Sequence, residues 1–215
     1  MIPHGTKAVV IGNGGSVDTM PPEFWNQDCL YIGTNRALCF KALQGVRLDA
    51  VVIRDCWSSL FSTMDISRKY HFDVWQPATM YKVGPAPERN TDCDEFMRQE
   101  SGWQFDRNID KASGESAVMR NSSVVIMACN VAWHWGVRDF QLIGVDYHGG
   151  MAEMTPPFNV STGFDNRYDS PIRVGVIKQF AKMRVAIETE GSIVNHSPGT
   201  KLKAVKESKW QILSL

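Results

Sequence analysis

The chain has 215 residues, 43% of them hydrophobic and 21% charged, which suits one globular domain with a single core. Its 23 Lys+Arg balance its 23 Asp+Glu. A net charge of zero excludes a broad basic field for nucleic acid or an anionic membrane, and leaves room only for a local anion site.

The first element is Ala8–Gly12. Its apolar run lacks alternation, as expected of a strand buried on both faces of a parallel sheet. CLYIGTN (29–35) and DAVVIRD (49–55) read as the next two strands. Between them Arg36–Gln44 reads as a short helix that Gly45 ends. DVWQPATMYKV (73–83) is a fourth strand, interrupted by Pro77. Residues 84–115 are polar and rich in turn formers, and read as a long irregular excursion of the kind that often belongs to an active site. Ser122–Trp135 has apolar residues at helical spacing, with Gly136 as its C′ residue. FQLIGVD (140–146) is another buried strand, and 151–171 is irregular. Ile172–Glu190 is helical, with Val176, Phe180, Met183 and Ile187 on one stripe and Gly191 as its stop. SIVNHS (192–197) is the last strand, and Lys201–Ser208 a short final helix.

This alternation predicts a single Rossmann-like α/β domain over 1–215, with a doubly wound, mostly parallel sheet and helices on both faces. In such sheets ligands bind outside the carboxyl ends of the strands. After the first strand, Gly12-Asn13-Gly14-Gly15-Ser16 either brings backbone N–H groups up to an anion or merely turns a strand into a helix. After the second, Asn35 can read a base or a ribose hydroxyl, or cap the helix starting at Arg36. After the third, Arg54 can pair with phosphate and Asp55 can cap, or both can lie on a plain surface. Before the long helix, Arg120-Asn121-Ser122-Ser123 carries more polar groups than capping needs. After FQLIGVD, Asp146 can hold a ribose or a metal, and Tyr147 and His148 can stabilise a leaving phosphate or move a proton. His196 follows the last strand and is expected to face the same side. His134, between two Trp residues, reads as structural, and His4 and His71 as surface. Trp57, Trp75 and Trp103 read as core or interface more readily than as a sugar platform.

Five cysteines, an odd number with no CxxC pair, read as free thiols of a reducing compartment. MIPHGTKAVVIG lacks a signal peptide's long apolar segment, and no run approaches the roughly 20 apolar residues of a membrane span. The expected location is the cytoplasm.

The order of motifs resembles that of bacterial sialyltransferases that use CMP-sialic acid. In skeleton it also resembles the archaeal-type 6-hydroxymethyl-dihydropterin diphosphokinases. The matching pieces are VVIGNGGS (9–16), YIGTN (31–35), DAVVIRD (49–55), SSVVIMACNVAWHWGVRDFQLIGVDY (122–147) and, loosely, SIVNHSPGTKL (192–202). The sialyltransferase resemblance implies that Asn13 and Ser16 lie near the nucleotide phosphates and Asn35 at the ribose or donor sugar. It implies Ser122 or Ser123 on the donor, and a residue of Asp146–His148 near the leaving phosphate. It implies no metal and no cofactor. It also implies a His base before the last long helix, yet FDNRYDSPIRV (164–174) holds none. Tyr168 or Asp169 stands there instead, so His148 or Asp169 is the candidate base. The diphosphokinase resemblance implies ATP with Mg²⁺, held by carboxylates such as Asp18, Asp55 and Asp146. The chain has no DxD pair, the metal-binding mark of more familiar sugar transferases.

The leading expectation is a nucleotide-dependent transferase, a metal-independent glycosyltransferase whose substrates are a nucleotide-sugar, CMP-linked by resemblance, and an unidentified acceptor. The alternatives are the ATP/Mg²⁺ diphosphokinase and a non-catalytic nucleotide or sugar-phosphate binder. In outline, the glycine turn holds the donor phosphate and Tyr147, His148 and Arg167 offset its charge. The loops at 84–115 and 151–170 close over it. Partners are small molecules, with no nucleic acid and no membrane span, and a homo-oligomer is left open.

Overall fold

Strands that are apolar on both sides must lie between two layers, and the chain builds both. The computed structural model describes residues 7–53, 79–84, 95–100, 118–119, 123–147, 150, 152–154 and 174–208. Among the described residues eight strands form one sheet: β1 (Lys7–Ile11), β2 (Leu30–Thr34), β3 (Ala50–Ile53), β4 (Thr79–Gly84), β5 (Glu95–Glu100), β6 (Val118–Met119), β7 (Asp139–Ile143) and β8 (Ser192–Asn195). Their order is β6-β5-β4-β3-β2-β1-β7-β8, and every pairing is parallel. Val10 of β1 pairs with Ile32 on one side and Leu142 on the other, which makes β1 the central strand of the site.

Alternate residues feed two cores. Ala8, Val10, Ile32, Val52, Phe140 and Leu142 face one layer, built by helices α1 (Val124–His134) and α2 (Val174–Glu188). Val9, Ile11, Tyr31, Val51 and Ile143 face the other, built with Phe24 and Leu43 from short 3₁₀ turns and with Phe40 between two of them. Helices thus cover both faces, α-helical on one and 3₁₀ on the other. α1 is buried continuously from Val125 to Trp133, as a helix apolar on all sides must be. Gly136 ends it at φ +96: its N–H donates to Trp133 O (2.9 Å) and that of Val137 to Ala132 O (3.0 Å). That pair of bonds is the Schellman closure a left-handed C′ glycine permits.

Three expectations change. Arg36–Gln44 is two 3₁₀ turns, Ala37–Cys39 and Lys41–Leu43, parted by Phe40 in an extended conformation. Burying Ala37, Cys39, Phe40 and Leu43 together decides the path there. Lys201–Ser208 is not a helix but a loop whose end forms one parallel bridge with the end of β8, Asn195 N–H donating to Lys206 O (2.9 Å) and Ser208 N–H to Asn195 O (2.9 Å). Within the polar stretch 84–115, Glu95–Glu100 is a strand paired with β4. Its charges hid it, since only Phe96 and Met97 are apolar. The remainder of 84–115, most of 151–170 and the Pro77 region lie outside the described residues. Among the described residues no helix is long and apolar enough to cross a membrane.

Candidate functional site

The chain runs outward from β1 to β6 and then returns to the opposite flank of β1 as β7. Strand order therefore reverses between β1 and β7, the point at which open parallel sheets bind ligands outside the carboxyl ends of their strands. A cleft of about 190 Å³ lies there. Asn13 and Gly14 reach it from β1, Asn35 from β2, Ser123–Val125 from the start of α1, and Gly144–Tyr147 with Gly150 from β7.

The rear wall is two backbone turns in contact. A Cβ on Gly12 would lie 2.3 Å from Gly144 O, and one on Gly144 2.6 Å from Gly12 O. Gly12 N–H donates to Ile143 O (2.7 Å) and Gly14 N–H to Gly144 O (2.9 Å). Across this seam Ser16 N–H donates to Asp146 Oδ2 (2.8 Å), and the Ser16 hydroxyl donates to Asp146 Oδ1. Gly144 N–H donates to Ser16 Oγ (3.0 Å), so the hydroxyl both donates and accepts. Asp146 and Ser16 are both buried.

This overturns one expectation. The N–H groups of Gly12, Gly14, Gly15, Ser16 and Val17 all donate to protein acceptors. The glycine turn is therefore a packing device that brings β1 against β7, and these five amides are not open to an anion. Ser16 and Asp146 hold each other rather than a ligand through these bonds.

The front of the cleft is different. Two non-glycine residues among those described have a left-handed backbone, Asn35 (φ +48) and Tyr147 (φ +54), and both line the cleft. Such strain costs about 1–3 kcal/mol per residue and persists only where the surroundings impose it. Asn is tolerated there, but a Tyr is not at ease. The Tyr147 ring meets Phe180 of α2 edge-on, with centroids 6.2 Å apart. Of the two alternatives for Asn35, the helix cap falls away, since Arg36 precedes the first 3₁₀ turn. Asn13 Oδ1 is buried with no hydrogen-bond partner among the described residues. Ser123 stands at the N-cap of α1, yet its hydroxyl makes no capping bond. The first-turn N–H groups of α1 thus meet the cleft with the helix's positive end behind them. The described lining holds one carboxylate, Asp146, and no Lys or Arg.

No protein-family model matches the chain, and no curated protein matches it. Solved structures do. The Maf glycosyltransferase from Magnetospirillum magneticum AMB-1 aligns over 97% of this chain at 12% identity, with a TM-score of 0.57. The chain spans 34% of that protein's length. The sialyltransferase CstII, in complex with a trisaccharide acceptor and CMP, aligns over 94% of this chain and 85% of its own at 12% identity and a TM-score of 0.55. CstII from Campylobacter jejuni with cytidine-5′-monophosphate, a substrate analogue, covers 97% and 89% at 13% identity and a TM-score of 0.54. The fold is glycosyltransferase-like.

Within this glycosyltransferase-like fold, Asn13, Gly14, Asn35, Ser123, Asp146 and Tyr147 come together from segments far apart in sequence. Gly12, Gly15 and Ser16 brace the wall behind them. Arg54, Ser122, His148, Arg167 and Asp169 lie outside the described residues. Sequence reasoning passed over Gly144 and the α1 residues Val124 and Val125, which also line the cleft. A glycine two places before the strand-end acid was the available sign of a close backbone crossing. Cys39 and Cys129 are buried, and burial pushes both thiols up, which leaves them inert.

His196 does not reach the cleft. Its ring lies edge-on to Phe24, with centroids 5.8 Å apart, beneath the 3₁₀ layer. Nδ1 donates to Ser208 O (2.9 Å), because a carbonyl can only accept. Nε2 is buried without a partner among the described residues. Burial holds the imidazole below its ordinary value, against the opposing pull of the Ser208 carbonyl. The unfolded chain therefore takes a proton, near pH 6.5, that the folded chain refuses. Stability should be full above that pH, fall as pH drops through it, and level off below the folded value. Thermal melts of the wild type and His196→Gln between pH 7.5 and 5 check this. An equal drop in both proteins would locate the effect elsewhere.

Proposed function

We propose that the chain is a glycosyltransferase domain that takes a nucleotide-linked sugar, of the CMP type, in the cleft between β1 and β7. One observation carries the reading: polar groups from four separate segments converge on one crevice, and two of them sit in strained backbone. The likeness to two solved CstII complexes that hold CMP supports the donor class. A binding site accounts for the unpartnered acceptor on Asn13, the uncapped start of α1 and the strain at Asn35 and Tyr147 together.

In this reading the donor phosphate lies against the α1 start, where the Ser123 hydroxyl and first-turn amides donate to it. The helix start takes over the task first expected of the glycine turn. Asn13 Oδ1 accepts from a donor hydroxyl or amine, and Asn35 meets the ribose or sugar. Tyr147 donates its phenol to the leaving phosphate as charge develops. Proton removal from the acceptor is assigned to His148, next in sequence, or to Asp169. Both Asp146 oxygens already accept from Ser16, which favours transfer without a metal at this carboxylate over the Mg²⁺-dependent diphosphokinase.

Thermal shift with CMP, UDP, GDP and ATP, each with Mg²⁺ or with chelator, separates the readings. CMP in chelator should stabilise the chain, by about 2.7 kcal/mol at a hundredfold excess over Kd. Asn13→Ala should weaken CMP about tenfold, the worth of one hydrogen bond near 1.4 kcal/mol. Stabilisation by ATP alone, and only with Mg²⁺, would replace this reading with the diphosphokinase. CMP binding without sugar transfer would leave a binding module.

A further inference from the structure

The segment Asn195–Leu202, whose His196 was expected at the ligand face, turns away from it and grips the strand end behind the cleft. Asn195, Ser197 and Thr200 are polar, yet each is fully buried. All three side chains bond to Val145, and that of Thr200 reaches Asp146 O as well (3.3 Å). Val145 N–H donates to Ser197 Oγ (2.8 Å). Val145 O accepts from Thr200 Oγ1 (2.7 Å) and from Asn195 Nδ2 (3.3 Å). Asp146 O accepts from Lys201 N–H (2.8 Å). Thr200 Oγ1 accepts in turn from Leu202 N–H (3.0 Å), so the hydroxyl both donates and accepts. The next residue is Tyr147, in a left-handed conformation. A strained residue keeps its shape only if the peptides before it cannot swing. Three buried polar side chains on two peptides are more than capping or solubility requires, and each would be costly without its partner.

We propose that Thr200 is a positioning residue: through the Val145 carbonyl it fixes the Val145–Asp146 peptides and so holds Tyr147 left-handed at the cleft. That this placement serves a nucleotide rests on the function proposed above. The backbone effect does not.

Two measurements on the same variants test it. Protein labelled with ¹³C at the tyrosine Cα and Cβ reports the Tyr147 backbone by chemical shift, its signal identified by loss in Tyr147→Phe. Thr200→Val keeps the shape and removes the hydroxyl. It should move the Tyr147 signal and weaken CMP about tenfold, the loss expected when one contact is misplaced. Thr200→Ser should restore both. Ile187→Val, in the α2 core, should lower the melting temperature and leave both readouts unchanged. An unmoved Tyr147 signal in Thr200→Val overturns the proposal, as does a moved signal with wild-type CMP affinity. Should the wild type bind no nucleotide, the functional reading falls, and the tyrosine signal alone decides whether Thr200 sets the backbone.

Discussion

Gly144→Ala is expected to lower the free energy of unfolding by about 3–5 kcal/mol, at the far end of what single substitutions do. Two penalties coincide. The residue has φ +72, where any Cβ is strained. The added carbon would also lie 2.6 Å from Gly12 O and 2.8 Å from a Val17 methyl. The first obstacle is backbone, fixed by the Gly12 and Gly14 hydrogen bonds to β7's end, so it cannot rotate aside. Gly45→Ala is the natural control. Gly45 has φ +79 but nothing within 4 Å of the new carbon, so it carries the conformational cost alone, about 1 kcal/mol. Urea unfolding of both variants makes the comparison. Equal losses would mean that the β1 and β7 turns can part without cost, and the rear wall of the cleft would not be rigid.

Asp146→Ala is expected to cost about 2–3 kcal/mol, because it strands the buried N–H and hydroxyl of Ser16 without their charged acceptor. It should also weaken CMP by more than tenfold, since the same carboxylate ties the turn carrying Asn13 to the segment carrying Tyr147. Asp146→Asn keeps the shape and one acceptor, and should lose less of each. Unfolding and CMP titration of the two variants belong together. Full stability with abolished nucleotide binding would make Asp146 a direct ligand or metal contact, and would revive the diphosphokinase reading.

The sheet was legible because its strands are so apolar. VVI, LYI, VVI and FQLI announce burial on both faces, and burial on both faces implies parallel pairing. Legible too was the rim on which ligand groups would gather, since topology alone puts strand-end residues at the switch point. What individual groups do there was not legible. A glycine turn that offers amides to an anion and one that packs against another backbone have the same composition. Only the position of Gly144, more than a hundred residues on, distinguishes them. The loop around His196 was misread for the same reason. Polar residues after a strand signal hydrogen bonds, but not whether the partner is a ligand or the carbonyl of Val145. β5 escaped because charge dominates its sequence, and the two 3₁₀ turns because core packing at Phe40 outweighed helical spacing.

The place of β1 has a consequence for how the molecule is made. β1 precedes every other described strand in synthesis, yet Lys7–Ile11 obtains its second neighbour only from Asp139–Ile143. Among the described strands no adjacent pair is joined by a tight hairpin, because every pairing is parallel. Closing that loop costs chain entropy before any contact repays it, which places such topologies among the slower folders. A nascent chain released before β7 emerges would carry a central strand with one raw edge, open to association with other chains.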